Sequence, residues 1–171
     1  TKVMITPDYI ATMSRYNQLQ NNMIYDAADV MNEDGRRLDR GAFFGSIHGT
    51  LCHILWADTI WMSRFDGWDA PEGGIPDSPG MVADWAELRA ARRAADARIG
   101  DWSGRVRSRD LEGDLTWYSG ALGKEMTRPR AMLITHMFNH QTHHRGQVHA
   151  MLTAAGARLG ATDLPFLPEV A

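Results

Sequence analysis

His140 and His144 are the residues of this chain whose spacing points most directly to chemistry. Four residues apart on a helix, two side chains stand one above the other on the same face. Leu133, Met137, His140, His144, Val148 and Met151 recur at helical spacing, so the pair lies in the stripe that should face the core. A buried imidazole needs partners for its nitrogens, and two adjacent ones repel when both are protonated. A divalent cation resolves both difficulties, because it binds neutral imidazole. A lone histidine on an apolar face is more often a hydrogen-bonded core residue, so a metal site requires a third donor from another helix.

Further histidines are available. His136, His143 and His149 share the segment of His140 and His144, while His48 and His53 lie on an earlier helical pattern. His48 aligns with Phe44, Leu51, Leu55 and Met62, and His53 with Thr50, Ala57 and Ile60. Both faces can be partly buried in a bundle, so periodicity does not choose between them. Three neutral nitrogen ligands would leave a metal its double charge and an open position, the arrangement of catalytic sites. Such an ion could bring the pKa of a water or thiol toward neutrality, or polarise a carbonyl. All-histidine ligation suits zinc, nickel, copper or iron; zinc or nickel is the expectation here. Asp58, Asn139 and Gln147 are candidate acceptors for the other ring N–H groups, although Asp58 reads equally well as a helix-surface charge. Arg145 could bind an anionic substrate or thiol, an interhelix salt bridge being its commoner use. No carboxylate sits within the last-helix motif, and Asp58 is the only nearby general-base candidate.

Four helical patterns must position these residues. The first starts at Thr6-Pro7-Asp8, with Thr6 as cap and Pro7 in the first turn. It carries a stripe of Ile10, Met13, Met23, Ala27 and Val30 and ends near Asn32. The second covers about residues 43–65, after a start signal at Asp39 or Arg40-Gly41. Residues 68–80 hold Pro71, Gly73, Gly74, Pro76, Pro79 and Gly80 and are expected to be irregular. The third helix covers about residues 81–106. Residues 115–118 and 124–127 suggest a small hairpin or irregular crossover. The fourth begins at Thr127-Arg128-Pro129 and runs to about Ala155, with Gly156 after its cap. The tail, residues 157–171, should pack extended over the bundle. The expectation is one all-α domain over residues 1–171, an antiparallel four-helix bundle.

Composition narrows the function. With 44% apolar and 23% charged residues the chain can bury a core, and a net charge of -3 argues against nucleic-acid binding. Arg89, Arg92, Arg93 and Arg98 alternate with Glu87 and Asp96, which reads as a solvated helix face. One cysteine, Cys52, permits no internal disulfide and fits a reducing, cytoplasmic setting; its apolar neighbours suggest a small buried group. Residues 1–7 lack the apolar core of a signal peptide. No stretch reaches the ~20 apolar residues of a membrane span.

Two motifs carry a family resemblance. Thr50-Leu51-Cys52-His53-Ile54-Leu55-Trp56-Ala57-Asp58, followed by Trp61, resembles the second-helix signature of DinB-like proteins. Asn139-His140-Gln141-Thr142-His143-His144-Arg145-Gly146-Gln147-Val148 resembles their fourth-helix signature, a histidine, three residues, then His-Arg-Gly-Gln. The resemblance implies a four-helix bundle with a divalent metal held by His53, His140 and His144. It leaves His48, His136, His143 and His149 outside that set, with His136 as a possible outer or fourth ligand. It also implies homodimers and a low-molecular-weight thiol partner, since relatives include thiol-dependent S-transferases and a mycothiol-dependent maleylpyruvate isomerase. Cys52 departs from the Asn that relatives often carry there. The functions in view are a metal-dependent enzyme transferring a thiol or hydrolysing a small molecule, a non-catalytic metal- or stress-ligand-binding bundle, and a metal-free small-molecule binder. The His140/His144 spacing disfavours the third.

Overall fold

The computed structural model describes residues 4–168; residues 1–3, and the end of the tail expected to run to residue 171, lie outside the described residues. Helix α1, Pro7–Asp29, begins as its residue types dictate. The Thr6 hydroxyl oxygen accepts the Tyr9 N–H at 3.2 Å, and Pro7 occupies the first turn. The helix stops before the expected Asn32, because Asn32 caps a separate short helix α2, Glu33–Arg37, by accepting the Gly35 N–H at 2.7 Å. Val30, expected in the buried stripe, is therefore past the helix and 89% exposed.

Helix α3, Ile47–Asp66, is capped by Ser46, whose Oγ accepts the Gly49 N–H at 2.9 Å. The expected start near residue 43 fails because Gly45 has φ 75°, a left-handed conformation that breaks a helix. Phe43 and Phe44 belong instead to the turn before α3. The segment expected to be irregular contains a 3₁₀ turn, Ile75–Gly80, packed on α3. Helix α4, Trp85–Arg105, starts at Asp84, which accepts the Glu87 N–H at 2.9 Å, so residues 81–83 lie outside it.

The hairpin forms as expected: β1, Asp114–Ser119, pairs antiparallel with β2, Lys124–Pro129, Trp117 facing Met126. Helix α5, Arg130–Ala154, follows directly. It ends with Gly156 at φ 94°, the Gly156 N–H bonding Thr153 O and the Ala157 N–H bonding Leu152 O. These two crossed bonds close a Schellman motif. The tail lies on α1, where the Tyr16 hydroxyl donates to Thr162 O at 2.5 Å and Gln20 Nε2 to Ala161 O at 3.2 Å.

The chain is thus mostly helical with one small two-stranded sheet. Helix α1 packs on α4 and α5, and α3 packs on α5 and α4. Their shared interior holds Ile10, Ile24, Leu51, Ile54, Leu88, Ile99, Met137 and Phe138. Cys52 is fully buried, its Sγ 3.4 Å from Val82 O. Among the described residues no helix is long and apolar enough to cross a membrane.

Polar side chains also enter this interior, and here the expectation of a solvated arginine face is corrected. Arg92 and Asp96 are 2% and 3% exposed. Arg92 Nη1 donates to Asp58 Oδ2 at 2.7 Å and Nη2 to Asp96 Oδ1 at 2.6 Å. Asn17 and Asn21 donate to Asp96, and their amide oxygens accept from Arg145 Nη1 at 2.6 and 3.2 Å. Gln141 Nε2 donates to Asp58 Oδ1 at 2.9 Å. Burial opposes the Arg92 charge, but Asp96 and Asp58 more than offset it and raise its proton affinity. Asp58 is neither a surface charge nor a partner of the histidines. Arg89 pairs with Asp26 and Asp29, Arg98 lies over Trp68, and Arg93 is exposed.

Removing one member of a buried ion pair strands the others without water. Arg92→Ala should lower the urea-unfolding free energy by about 3–5 kcal/mol, whereas Arg93→Ala should change it by less than about 0.5 kcal/mol. Equal, small effects would show that the network contributes nothing.

Candidate metal centre

The α3–α5 contact decides what periodicity left open. It brings one ring nitrogen each from His53, His140 and His144 to within 4.8 Å of one another. His53 Nε2 and His140 Nε2 are 3.1 Å apart. Nitrogens bound at about 2.1 Å to one tetrahedral ion stand roughly 3.4 Å apart, so this pair has the right separation. His48 is buried elsewhere, its Nε2 donating to Val82 O at 2.8 Å.

Neighbouring side chains fix where the protons sit. The Ser78 hydroxyl donates to Ile75 O at 2.7 Å, so toward His53 it can only accept. His53 Nδ1, 2.8 Å away, is then the protonated nitrogen, and Nε2 carries the lone pair. Likewise His144 Nδ1 lies 2.8 Å from Gln147 Oε1, an acceptor, which leaves its Nε2 free. His140 Nδ1 is buried and has no partner among the described residues.

The surroundings keep these rings neutral. Burial, then the nearby His144, pushes the His53 pKa down to about 4. Burial, then His144 and His53, pushes His140 down to about 3. His144 is also lowered by burial, against the hydrogen bond it donates to Gln147, which raises it. Phe44 stacks on His53 with centroids 3.8 Å apart and meets His144 edge-on at 5.4 Å. Trp56 stacks parallel to His53 at 6.0 Å. Three neutral imidazoles with convergent lone pairs are a donor set that could hold a divalent metal ion.

Of the expected outer partners, only Gln147 touches a triad histidine. Asn139 is exposed, and Asp58 is committed to Arg92 and Gln141. His136 and His143 are exposed and lie outside the triad, His136 against the edge of Trp61 at 5.3 Å. Ser78 and Phe44 were missed. Ser78 sits in Pro76-Asp77-Ser78-Pro79, which signals only a turn, and nothing local shows that this turn folds onto α3.

The fold has a counterpart. A crystal structure of a DinB-like protein from Bacillus cereus ATCC 10987 superposes with a TM-score of 0.58 at 20% identity, covering 83% of this chain and 89% of that one. This likeness shows a shared fold. No curated protein matches the chain. Residues 4–171 match the model of the DinB family, and on that near-complete match the chain belongs to the DinB family.

Proposed function

We propose that this protein is a metal-dependent enzyme, a single four-helix-bundle domain that holds one divalent cation, zinc or nickel, through His53, His140 and His144. Its substrate is a small molecule, and its reaction is transfer of a low-molecular-weight thiol or hydrolysis. It works in the cytoplasm as a homodimer. The observation carrying this reading is the convergence of three neutral imidazoles, two of which, His53 and His144, have their proton positions set by Ser78 and Gln147.

When bound, the cation would supply Lewis acidity, with its full charge retained by three neutral ligands. The chain's own residues do the rest. Ser78 and Gln147 hold the His53 and His144 rings so that the Nε2 of each points at the common centre. Phe44 and Trp56 flank His53 and limit water on that side. A second reading, a metal that only ties α3 to α5, is favoured by one observation: among the described residues no carboxylate contacts a triad histidine.

Untagged protein analysed by elemental mass spectrometry should contain about one zinc or nickel per chain. His140→Ala and His144→Ala should abolish this stoichiometric metal, and His53→Ala should weaken binding far more than His48→Ala. Full metal in either α5 variant would overturn the site. A metal-loaded protein inactive against panels of thiol-transfer and hydrolytic substrates would favour the second reading.

Outer partners of ligating histidines typically contribute 10–100-fold in metal affinity. Ser78→Ala and Gln147→Ala should each weaken zinc binding by about that factor in competition with a chromophoric chelator, while Asn139→Ala should not.

Unfolded histidine takes up a proton near 6.5, whereas folded His53 and His140 do so only near 4 and 3. Between these values the unfolded state holds more protons, so stability falls as pH falls. The urea midpoint of chelator-treated protein should decline from pH 6.5 toward 4, and the difference from a His53→Ala/His140→Ala variant should shrink over that window. A pH-independent difference would contradict the neutral, buried triad.

A further inference from the structure

Arg145 stands next to His144 in sequence but faces the other way, from α5 toward α1. It is 5% exposed, yet among the described residues no carboxylate lies within salt-bridge distance; Asp58 and Asp96 both pair with Arg92 instead. Nη1 alone is engaged, by the amide oxygens of Asn17 and Asn21. Among the described residues, Nε and Nη2 have no hydrogen-bond acceptor. Neither is sealed from solvent as the orphaned Nε of Arg92 is.

Arg145 instead lines a cavity of about 310 Å³ between α1, α5 and the tail. Tyr16 and Gln20 form one wall and hold the tail across it through Thr162 and Ala161. Thr142 and Gly146 form the opposite wall. Gly146 is exposed on that wall, and an added Cβ there would meet nothing within 4 Å, so a larger side chain can be introduced without a packing conflict.

A guanidinium with two donors free along one edge is built to take an oxyanion in a two-point contact. We infer that this cavity is a second ligand site, separate from the histidine centre, which binds the carboxylate or phosphate group of a small organic anion on Arg145 Nε and Nη2. The Tyr16 ring, Met23 and Ile24 supply an apolar flank for the rest of the molecule. The volume suits a ligand of metabolite size, at the lower end of the range of about 300–1,000 Å³ for such pockets.

The test is an NMR titration of the full chain with inorganic phosphate and, separately, with benzoate, following the Arg145 Nε–Hε resonance and the Thr142 and Gly146 amides. The expected result is a saturable shift of all three with at least one probe; phosphate or benzoate alone would assign the oxyanion class. Gly146→Leu, which fills the space without touching Arg145, should weaken that binding at least about tenfold, or about 1.4 kcal/mol. It should leave metal content and the His53 and His144 resonances unchanged, which separates this site from the histidine centre. Arg145→Lys should weaken binding through loss of the two-point contact. No saturable shift with either probe, or equal binding by Gly146→Leu, would overturn the inference.

Discussion

Arg92 reaches from α4 into the space among the helices and meets one carboxylate from α3 and one from its own helix. A guanidinium taken out of water is tolerated only when its charge and donors are met there. The rest of the interior follows from that requirement. Asp58 must point inward from α3, which commits Gln141 of α5 to its second oxygen. Asp96 must point inward from α4, which commits Asn17 and Asn21 of α1 and, through their oxygens, Arg145. One buried cation thereby fixes the rotation of four helices about their axes. Apolar contacts alone tolerate small slips; hydrogen bonds at 2.6–2.9 Å do not.

This fixed rotation gives the histidines their positions. Gln141 is held toward Asp58 and Arg145 toward α1, so the residues flanking them on α5, His140 and His144, face α3. His53 lies on the same helix as Asp58 and is set by the same constraint. Polar network and histidine triad are thus two levels of one helix interface. The network excludes Asp58 from the histidines, and it leaves any chemistry there to three neutral rings and their neighbours Ser78 and Gln147.

Helix α5 consequently presents different chemistry on adjacent faces. Toward α3 it offers neutral imidazole nitrogens; toward α1 it offers a guanidinium that no carboxylate among the described residues touches. The two are one residue apart in sequence, about 100° around the helix, and open to different surroundings.

Several features were legible in the sequence because they are local. The caps Thr6-Pro7 and Gly156 and the apolar stripe containing His140 and His144 each depend on residues within a turn or two. The hairpin was visible for the same reason. What failed locally was also specific: Gly45 in a left-handed conformation delayed α3, and Asn32 served as a cap rather than an end. Choosing His53 over His48 required the resemblance of a motif, since both lie on equally plausible faces of α3. Arg92 and Asp96 were misread because alternating charges look alike whether they face water or one another. Ser78 and Phe44 carried no signal, for their roles arise from a turn folding back on a helix. Sequence alone therefore determined the four long helices, to within a few residues at their ends, and which side chains share a face. Tertiary structure alone decided which faces meet, and with them which histidine joins the pair, which charges are buried, and where protons sit. Those properties depend on contacts between residues far apart in the chain, which no local periodicity encodes.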